Sequence, residues 1–544
     1  MDFIFGTLAT DALKQVFHRA LRMGIQHRHA MFPANPRPNE PVTLSAWVGT
    51  DCDVDALACY YTTNLDLPSG AAGASDNSQV ARFHQVSTEW DTVAWGYLTR
   101  WEVTLPAQPN GTIVQYRIGG WRTDDPSPEI FADAPDATQI TEDAAHHYFV
   151  GQAWTMPTRY ASTGEKSFAY RVDEVAPPQW ARDAIIYQVL VDRFYPGDGV
   201  DWAQTTNHSQ LMGGTLEGVQ QKLGYLLDLG INTIWLSPTW VTVSAHGYDV
   251  VDFGATAPHL GGDLALRRLI DAAHSRGVRI VLDLPCNHIS HQHPLFKDAA
   301  SSPASRYRDW FTWEVPPHGY KTFFGVATMP QLNLDHAGAR DWMLQQARYW
   351  LREFDVDGYR LDYAAGPRPD FWTHFGAACK DVKPDCFLFG EIIDTPEAQH
   401  AYVGRLDGCL DFYTNESLRK TFGWKSQSLA DYERQIARGR AYFSGDFLMP
   451  TFIDNHDMNR FLHIAEGDKD ALRAALAAQM KLPAPPILYY GTEIGLNHTA
   501  SVREGGLEAG RVAMIWDEQQ DRTLLNDVSA LIHERGATQR RTKA

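Results

Sequence analysis

The stretch LEGVQQKLGYLLDLGINTIWLSP, from Leu216 to Pro238, joins two different apolar patterns. Up to Gly230 the apolar residues recur at the spacing of one face of an α-helix. The run TIWLSP that follows is short and apolar, as a buried strand would be. A helix followed directly by a buried strand is typical of an α/β protein with a parallel sheet.

The same alternation continues over the whole chain after Ala181. Strands are predicted at AIIYQVLV, TIWLSP, RIVLDL, DGYRLDY, CFLFGEI, GCLDFY, FLMPTFID and PILYYG, and helix-like segments such as DLALRRLIDAAHSRG and ARDWMLQQARYWLREF lie between them. Eight such units over roughly 360 residues predict an α/β fold of the (β/α)8 TIM-barrel type. The long connection after the third strand predicts an inserted subdomain.

The chain before the barrel is mainly β in character. Short β-branched and aromatic runs such as PVTLSAWVG, ALACYYTTN, LTRWEVTLPA and TIVQYRIGGW predict an N-terminal β-sandwich. A helix is predicted at DALKQVFHRALRMGI, and GQAWTMPTRYASTGEKSFAYRVDEVAPPQW is interpreted as a connector. The predicted domains are 1–179 (sandwich with linker), 180–288 (first part of the barrel), 289–339 (inserted subdomain B) and 340–544 (remainder of the barrel).

Composition and charge limit the partners. The formal net charge of −18 should repel nucleic acid and anionic membranes, so we expect neither as a partner. No segment has the apolar length of a membrane span. The six cysteines lack metal-ligand spacing and are interpreted as free thiols. The start MDFIFGTLATDALKQ lacks the features of a secretion signal, which favours the cytoplasm.

Polar and charged residues gather where the predicted barrel strands end. A barrel enzyme places its chemistry at the C-terminal ends of its strands. The third strand is followed by Asp283, Asn287 and His288, the fourth ends in Arg360 and Asp362, the fifth in Glu391, and the seventh in His456 and Asp457. This recurrence predicts an active-site rim.

Two of these carboxylates have different surroundings. Arg360 and Asp362 are two residues apart on one strand, so their side chains point to the same side. The arginine should keep Asp362 ionised, which suits a nucleophile or an electrostatic stabiliser. Glu391 follows an apolar run that should raise its pKa, which suits a general acid. Such a pair matches a retaining glycosidase, in which the carboxylates lie ~5–5.5 Å apart.

Each residue also has a purely structural interpretation when it is taken singly. Asp283 could cap a loop, Arg360 and Asp362 could form a structural ion pair, and Glu391 could begin a helix. His288 and His456 could be hydrogen-bonded structural histidines. Their joint recurrence at the strand ends of one barrel is what favours a site.

DLPCNH, GYRLDYA, FGEI and FIDNHD, in this order, resemble the four signature segments of the α-amylase family of glycoside hydrolases. MPQLN, Met329 to Asn333, resembles a fifth segment in the form typical of the neopullulanase, cyclomaltodextrinase and maltogenic amylase branch. The resemblance covers about 181–516. It also suits a carbohydrate-binding-like N-terminal sandwich.

The resemblance implies a role for each matching residue. Asp362 matches the nucleophile, Glu391 the acid/base, and Asp457 the third carboxylate, which holds sugar hydroxyls. The residues that match substrate-contacting or supporting positions are Tyr248 as the stacking aromatic, His288 and His456 as hydroxyl ligands, Arg360 beside the nucleophile, and Asp283 and Arg460 as supports.

The expected function is retaining hydrolysis of α-1,4-glucosidic bonds in maltooligosaccharides, cyclodextrins, starch or pullulan. Two alternatives stay open: a transglycosylase or isomerase of the same family, and a non-catalytic glucan-binding protein. We expect an α-glucan substrate, a homodimer and no required cofactor. Calcium is the one ion that the resemblance suggests, with Asn287, Asp198 and Asp201 as candidate ligands.

The sequence departs from the branch at three places. Ile393 stands where the branch commonly has Trp, two positions after the acid/base. YAAGPRP follows the nucleophile in place of the VANE form. The chain ends soon after the helix predicted at LLNDVSALIHERG, so the C-terminal β-sandwich of the family has no expected counterpart.

Overall fold

The structure, a computed structural model, describes residues 10–126, 129–149, 153–156, 166–203, 207, 209–443 and 445–543. Its N-terminal part contains two five-stranded antiparallel sheets. The first has the order β1-β3-β7-β6 with β2 beside β3, and the second β10-β8-β4-β5 with β9 beside β8. The strands are β1 Ile25–Gln26, β2 Met31–Phe32, β3 Val42–Val48, β4 Ala56–Thr62, β5 Gln79–Arg82, β6 His84–Asp91, β7 Gly96–Leu105, β8 Thr112–Trp121, β9 Ile130–Phe131 and β10 Phe168–Val172.

One apolar core lies between these two sheets. Every second residue of β3 is buried, as the alternation in VTLSAWV predicts. Leu44 and Val103 from the first sheet share this core with Tyr116 and Ile118 from the second. The predicted β-sandwich is therefore confirmed.

Two predictions for this region need correction, and two elements were not predicted. Helix α1, Asp11–Ala20, stops before Gly24, which has φ 57°, and Ile25 already pairs with Val48. The supposed connector contains the strand β10, because FAYRV pairs with β8; its residues 151–152 and 157–165 lie outside the described part. Strand β6 and helix α2, Ala137–Phe149, were not predicted; HQVSTEWD has only two apolar residues, Val86 and Trp90, and both are exposed.

The second part is a parallel barrel, as predicted. Seven strands have the order β18-β17-β16-β15-β12-β11-β19. The segment FLMPTFID completes the ring through parallel bridges from Leu448 to Gly408 and from Thr451 to Pro486. Pro450 cannot donate a hydrogen bond, which interrupts a regular ladder there. The strands are β11 Ile186–Val189, β12 Thr233–Leu236, β13 Trp240–Thr242, β14 Val250–Thr256, β15 Arg279–Leu284, β16 Gly358–Leu361, β17 Phe387–Gly390, β18 Gly408–Cys409 and β19 Ile487–Tyr489, with β13 and β14 forming a separate hairpin.

Helices connect the barrel strands. The opening stretch forms two short helices, α5 and α6, broken at Lys222, and ends at Gly230 with φ 96°. No helix within the described ranges is long and apolar enough to cross a membrane. The helices are α3 Gln179–Arg182, α4 Val191–Phe194, α5 Leu216–Gln221, α6 Leu223–Leu229, α7 Gly262–His274, α8 Pro294–Ser301, α9 Ala337–Glu353, α10 Pro369–Val382, α11 Pro396–His400, α12 Phe412–Leu418, α13 Leu429–Tyr442, α14 Phe461–Ile464, α15 Lys469–Met480, α16 Val502–Gly505 and α17 Arg522–Lys543.

Asp370, in the first turn of α10, attaches the sandwich to the barrel. Its Oδ1 lies 2.9 Å from Nε2 of His29 and accepts a hydrogen bond of 2.6 Å from the backbone N of Ala169. Its Oδ2 lies 3.0 Å from Nη2 of Arg368. Burial raises the pKa of Asp370, but His29, Arg368 and Arg405 outweigh burial and hold it below its usual range. The buried carboxylate is therefore ionised, and it pairs with residues of both parts of the chain.

We expect Asp370→Ala to destabilise the protein by about 3–5 kcal/mol, because His29 and Arg368 would lose a buried partner. Differential scanning calorimetry measures this loss. The matched control is Glu397→Ala, which removes an exposed partner of Arg28 and should cost at most about 1 kcal/mol. Equal melting curves for the two variants would contradict a docking role of Asp370.

Candidate active site

The side chain of Arg360, in β16, lies at the centre of the site. It is completely buried, and its guanidinium pairs with three carboxylates. Nη1 lies 2.7 Å from Oδ1 of Asp283 and 2.9 Å from Oδ1 of Asp362. Nη2 lies 2.8 Å from Oε2 of Glu391. Because β15, β16 and β17 are neighbours in the sheet, one guanidinium can reach all three acids.

Asp283 is held by three donors. Its Oδ1 accepts a hydrogen bond from Arg360, and its Oδ2 accepts one of 3.0 Å from Nε1 of Trp235 and one of 2.9 Å from the hydroxyl of Tyr248. Burial raises the pKa of Asp283, while Arg360 opposes that rise. This carboxylate therefore joins the centre of the site to the aromatic residues beside it.

Tyr248 and His456 form a stacked pair. Their ring centroids are 5.4 Å apart at an interplanar angle of 8°. The Tyr248 hydroxyl lies 2.5 Å from Nε2 of His456, and Nδ1 of His456 lies 2.6 Å from Nε2 of Gln188. Burial lowers the pKa of His456 to about 3, so the ring is neutral. The Gln188 amide donates to Nδ1, which leaves the proton of the ring on Nε2.

Asp457 has a separate cationic partner. Its Oδ1 lies 2.8 Å from Nη2 of Arg511, and its Oδ2 lies 3.0 Å from Nε2 of His456. Burial alone would raise the pKa of Asp457, but His456, Arg511 and Arg360 outweigh burial and keep it below its usual range. Since the His456 ring is neutral, Arg511 carries the charge that neutralises Asp457.

Asp362 and Glu391 share the charge of Arg360. Burial raises the pKa of Asp362 well above its usual value; Arg360 opposes this rise, and the negative charge of Glu391 adds to it. Burial also raises the pKa of Glu391, again against Arg360. The structure differs here from the expectation that Arg360 keeps Asp362 ionised. One cation among three buried acids favours one proton on the Asp362–Glu391 pair.

His288 and three aromatic side chains line the edge of the site. Nε2 of His288 is buried and has no hydrogen-bond partner among the described residues, so it is available to a ligand. The His288 ring lies 4.6 Å from Phe323. The ring centroid of Tyr363 lies 5.2 Å from that of Phe323 and 4.9 Å from that of Phe324. The backbone N of Tyr363 donates a hydrogen bond of 3.1 Å to Oε2 of Glu391.

Arg460 lies beneath the site. Its guanidinium donates to the backbone oxygens of Gly510 (3.0 Å) and Tyr490 (2.8 Å), and it stacks 4.4 Å from the ring of Tyr489. These contacts hold two loops together, as a supporting residue would. Direct contact of Arg460 with substrate stays a prediction.

The candidate calcium ligands lie in different surroundings. Asn287 is buried, and its Oδ1 accepts a hydrogen bond of 2.8 Å from Gln331. Asp198 and Asp201 are exposed, and Asp198 accepts a hydrogen bond of 2.8 Å from the Tyr195 hydroxyl. The described residues contain no group of three or more His, Cys, Asp or Glu side chains able to hold a metal. Calcium prefers six to eight oxygen ligands, so these residues alone do not form its site.

Several residues of the site were not identified from the sequence. Arg511 lies in a loop far along the chain from Asp457 and belongs to no recognised motif. Trp235 sits in a strand whose apolar pattern hides the role of its indole N–H. Gln188 could have been recognised from the sequence, because a polar side chain inside the apolar run IIYQVLV requires a hydrogen-bond partner. Phe323 and Phe324 reach the site only through the fold of 289–339.

Fold and site together define a (β/α)8 barrel with clustered carboxylates at the carboxyl ends of its strands. The model of the alpha amylase catalytic domain matches residues 188–541. This chain therefore belongs to the alpha-amylase family, and the resemblance of its sequence motifs is confirmed.

The relatives include enzymes named as maltogenic amylase and cyclomaltodextrinase, the branch that the sequence motifs resemble. "Alpha-amylase 2" of Dictyoglomus thermophilum is 38% identical over 365 residues, 66% of this chain and 64% of that protein. "Intracellular maltogenic amylase" of Bacillus subtilis is 32% identical over 383 residues, 67% of this chain and 63% of that protein. A solved cyclomaltodextrinase shares the fold over 94% of this chain and 84% of its own, with TM-score 0.63 and 23% identity. The chain spans slightly less than two thirds of the first curated relatives.

We expect the protein to lose stability as the pH falls below about 6.5. Burial lowers the pKa of His27 and His288 to about 4, and that of His246 and His456 to about 3. The unfolded chain therefore binds protons first, and stability falls between pH 6.5 and each folded-state pKa. Each buried histidine should cost about 2 kcal/mol at pH 5, measured as a lower melting temperature.

His27→Gln isolates one of these contributions. We expect a smaller drop in melting temperature between pH 7 and pH 5 for this variant than for the wild type, because Gln does not titrate. His84→Gln, at an exposed position, is the control and should leave the drop unchanged. The same drop in all three proteins would show that burial of His27 does not contribute.

Proposed function

We propose that the chain hydrolyses α-1,4-glucosidic bonds of maltooligosaccharides, cyclodextrins, starch or pullulan with retention at the anomeric carbon. The observation that carries this proposal is the contact of Asp362 and Glu391 with the same guanidinium, at 2.9 and 2.8 Å. A rigid fork of this kind favours the separation of about 5–5.5 Å used by retaining enzymes over the roughly 6.5–9.5 Å of inverting ones.

In the first half-reaction, Glu391 is the acid and Asp362 the nucleophile. The single proton of the pair resides on Glu391 when the substrate is in place. Glu391 transfers that proton to the glycosidic oxygen, while an Asp362 carboxylate oxygen attacks the anomeric carbon. The glycosidic bond breaks, a glucosyl ester forms, and the shortened chain leaves with a free hydroxyl. Arg360 neutralises the carboxylates before and during the attack.

In the second half-reaction, Glu391 is the base. It removes a proton from a water molecule whose oxygen attacks the anomeric carbon, and the ester bond to Asp362 breaks. The product regains the original anomeric configuration, and Glu391 is again protonated. Asp457, ionised beside Arg511, accepts hydrogen bonds from sugar hydroxyls, and Nε2 of His288 is positioned to bind another.

We expect Asp362→Asn to lower kcat on maltohexaose by roughly 10⁴-fold or more, because the ester cannot form. Proton NMR of the wild-type reaction should show new reducing ends first as the α-anomer. Glu397→Gln, an exposed change outside the site, serves as the control and should retain activity. Full activity of Asp362→Asn, or β-anomer appearing first, would overturn the assignment.

We expect Glu391→Gln to act selectively on substrates that need protonation. Its kcat on maltohexaose should fall by roughly 10²-fold or more, because the leaving oxygen loses the acid that protonates it. On α-maltosyl fluoride, whose leaving group needs no proton, the loss in the first half-reaction should be much smaller. Equal losses on both substrates, measured as fluoride release and reducing ends, would argue against the acid role.

Transfer to a sugar acceptor is a second candidate. The rings of Phe323 and Phe324 packed against Tyr363, whose backbone N contacts Glu391, favour it, because an apolar edge binds a sugar face and disfavours water at the ester. Products longer than the substrate at high substrate concentration would identify transfer. Glucan binding without any turnover would instead support the non-catalytic alternative.

Location, assembly and metal binding are further proposals. The relative from Bacillus subtilis, which is described as intracellular, supports the cytoplasmic location proposed for this chain. A homodimer and a calcium ion stay predictions. Light scattering measures the molar mass and so tests the homodimer, and a repeat with a chelator tests whether a bound calcium ion affects the assembly.

A further inference from the structure

Arg511 is a buried cation that belongs to no sequence motif and contacts the third carboxylate of the site. Its guanidinium uses all three of its nitrogen atoms. Nε donates a hydrogen bond of 2.9 Å to the backbone oxygen of His456, Nη2 lies 2.8 Å from Oδ1 of Asp457, and Nη1 lies 2.6 Å from Oε1 of Glu508. One buried side chain therefore holds both the backbone and a carboxylate of two consecutive site residues.

Glu508 lies between two arginines. It precedes Arg511 by three residues in the short 3-10 helix Leu507–Gly510, and its Oε2 lies 3.6 Å from Nη2 of Arg193 in α4. Arg193 is itself almost completely buried, and its Nε donates a hydrogen bond of 3.1 Å to the backbone oxygen of Arg511. The Arg511 guanidinium is therefore fixed through its side chain by Glu508 and through its backbone by α4.

Arg193 is held in turn by the segment between α4 and α5. Asp192 pairs with Nη1 of Arg193. The carboxylate of Asp192 also accepts hydrogen bonds from the backbone N of Met212 (2.9 Å) and of Gly213 (3.0 Å). Charged side chains of alternating sign therefore extend from the third carboxylate of the site to this segment.

These contacts matter because Asp457 has no other uncommitted cation beside it among the described residues. The His456 ring is neutral, and Arg360 already pairs with three carboxylates. Without Arg511, burial would raise the pKa of Asp457. The carboxylate would then bind a proton or compete for Arg360.

The other titratable side chains around this pair are neutral or acidic. They are the neutral His246, Tyr248 and Tyr489 and the acids Asp362 and Glu391. Burial lowers the pKa of His246 to about 3 and raises the pKa of each tyrosine well above its usual value. The two acids oppose ionisation of Asp457. The charge of Asp457 therefore depends on Arg511.

We propose that Arg511 is a positioning residue for hydrolysis, which holds Asp457 ionised and directed at the sugar, and that Glu508 holds Arg511 in place. The pairing through Oδ1 leaves Oδ2 of Asp457 to face His456 and a sugar hydroxyl. The inference rests on the proposed function. It adds that the loop after the last barrel strand, through one side chain, sets the pH range of the reaction.

The test is the pH dependence of kcat/KM on maltohexaose in variants of Arg511. Arg511→Met removes the cation at similar length, so the pKa of Asp457 should rise and the carboxylate should be protonated at higher pH. We expect the acid limb of the profile to move up by at least about one pH unit, and kcat/KM at neutral pH to fall by roughly tenfold or more. Arg511→Lys keeps a cation but cannot make the three guanidinium contacts. Its acid limb should return to that of the wild type, while kcat/KM recovers only in part.

Two further variants separate the charge of Arg511 from its packing. Glu508→Gln removes the acid that competes with Asp457 for Arg511, so the acid limb should not move up. Arg535→Met, in α17, removes another buried arginine, which donates to the backbone oxygens of Met480 (2.8 Å) and Ala484 (2.7 Å). This matched control should lower the melting temperature and leave the acid limb unchanged.

The outcomes also separate this proposal from the proposed function. An acid limb of Arg511→Met that coincides with that of the wild type would overturn it, as would an equal shift in Arg535→Met or an upward shift in Glu508→Gln. If Arg511→Met does not fold, Arg511→Lys decides, because wild-type kcat/KM in that variant would equally overturn the positioning role.

If the wild type lacks turnover, the proposed function fails, and the binding of maltoheptaose tests the pairing by itself. Calorimetry over a range of pH should then show that Arg511→Met loses binding at a higher pH than the wild type. Equal pH dependence of binding in the two proteins would overturn the role of Arg511 as well.

Discussion

The burial of one arginine among three carboxylates is the constraint on which the rest of the structure depends. A guanidinium without solvent must be neutralised, and Asp283, Asp362 and Glu391 do this from three neighbouring strands. The parallel register of β15, β16 and β17 is what brings them within 3 Å of the same group. The same arrangement leaves excess negative charge, which favours a proton on the Asp362–Glu391 pair.

The surrounding layers fix this cluster in place. Trp235, Tyr248 and Gln188 form a chain of hydrogen bonds that orients Asp283 and His456. Arg511 neutralises Asp457 from a loop after the last strand, so the third carboxylate does not compete for Arg360.

The sandwich is coupled to the same region through a short segment. The chain runs from Asp362 to Asp370, and Asp370 contacts the sandwich through His29 and Ala169. At the other end, the backbone N of Tyr363 contacts Glu391. The segment that follows Asp362 is thus held at both ends, once by Glu391 and once by the N-terminal part.

Much of the fold and the centre of the site followed from the sequence. Short, nearly continuous apolar runs such as RIVLDL and FLFG predicted their strands, because a strand that is buried on both faces carries apolar residues at almost every position. The predicted strand ends then indicated which polar residues form the site, namely Asp283, Arg360, Asp362, Glu391 and Asp457. Strand β6 and helix α2 were missed, since HQVSTEWD is mostly polar with only Val86 and Trp90 apolar, and the partners of α2 lie on α1, distant in the sequence.

The sequence by itself determined the barrel, the sandwich and the identity of the acids, because these depend on local periodicity and on short motifs. The sequence placed Arg360 beside Asp362, but only the tertiary structure decided which cations the other acids meet. Arg360 serves three carboxylates and Arg511 serves the fourth, a division set by strand order and loop closure. Burial raises the pKa of Asp362, and that division sets how far Arg360 opposes the rise, because the pKa of a buried group depends on every charge around it and not only on its neighbour in the chain.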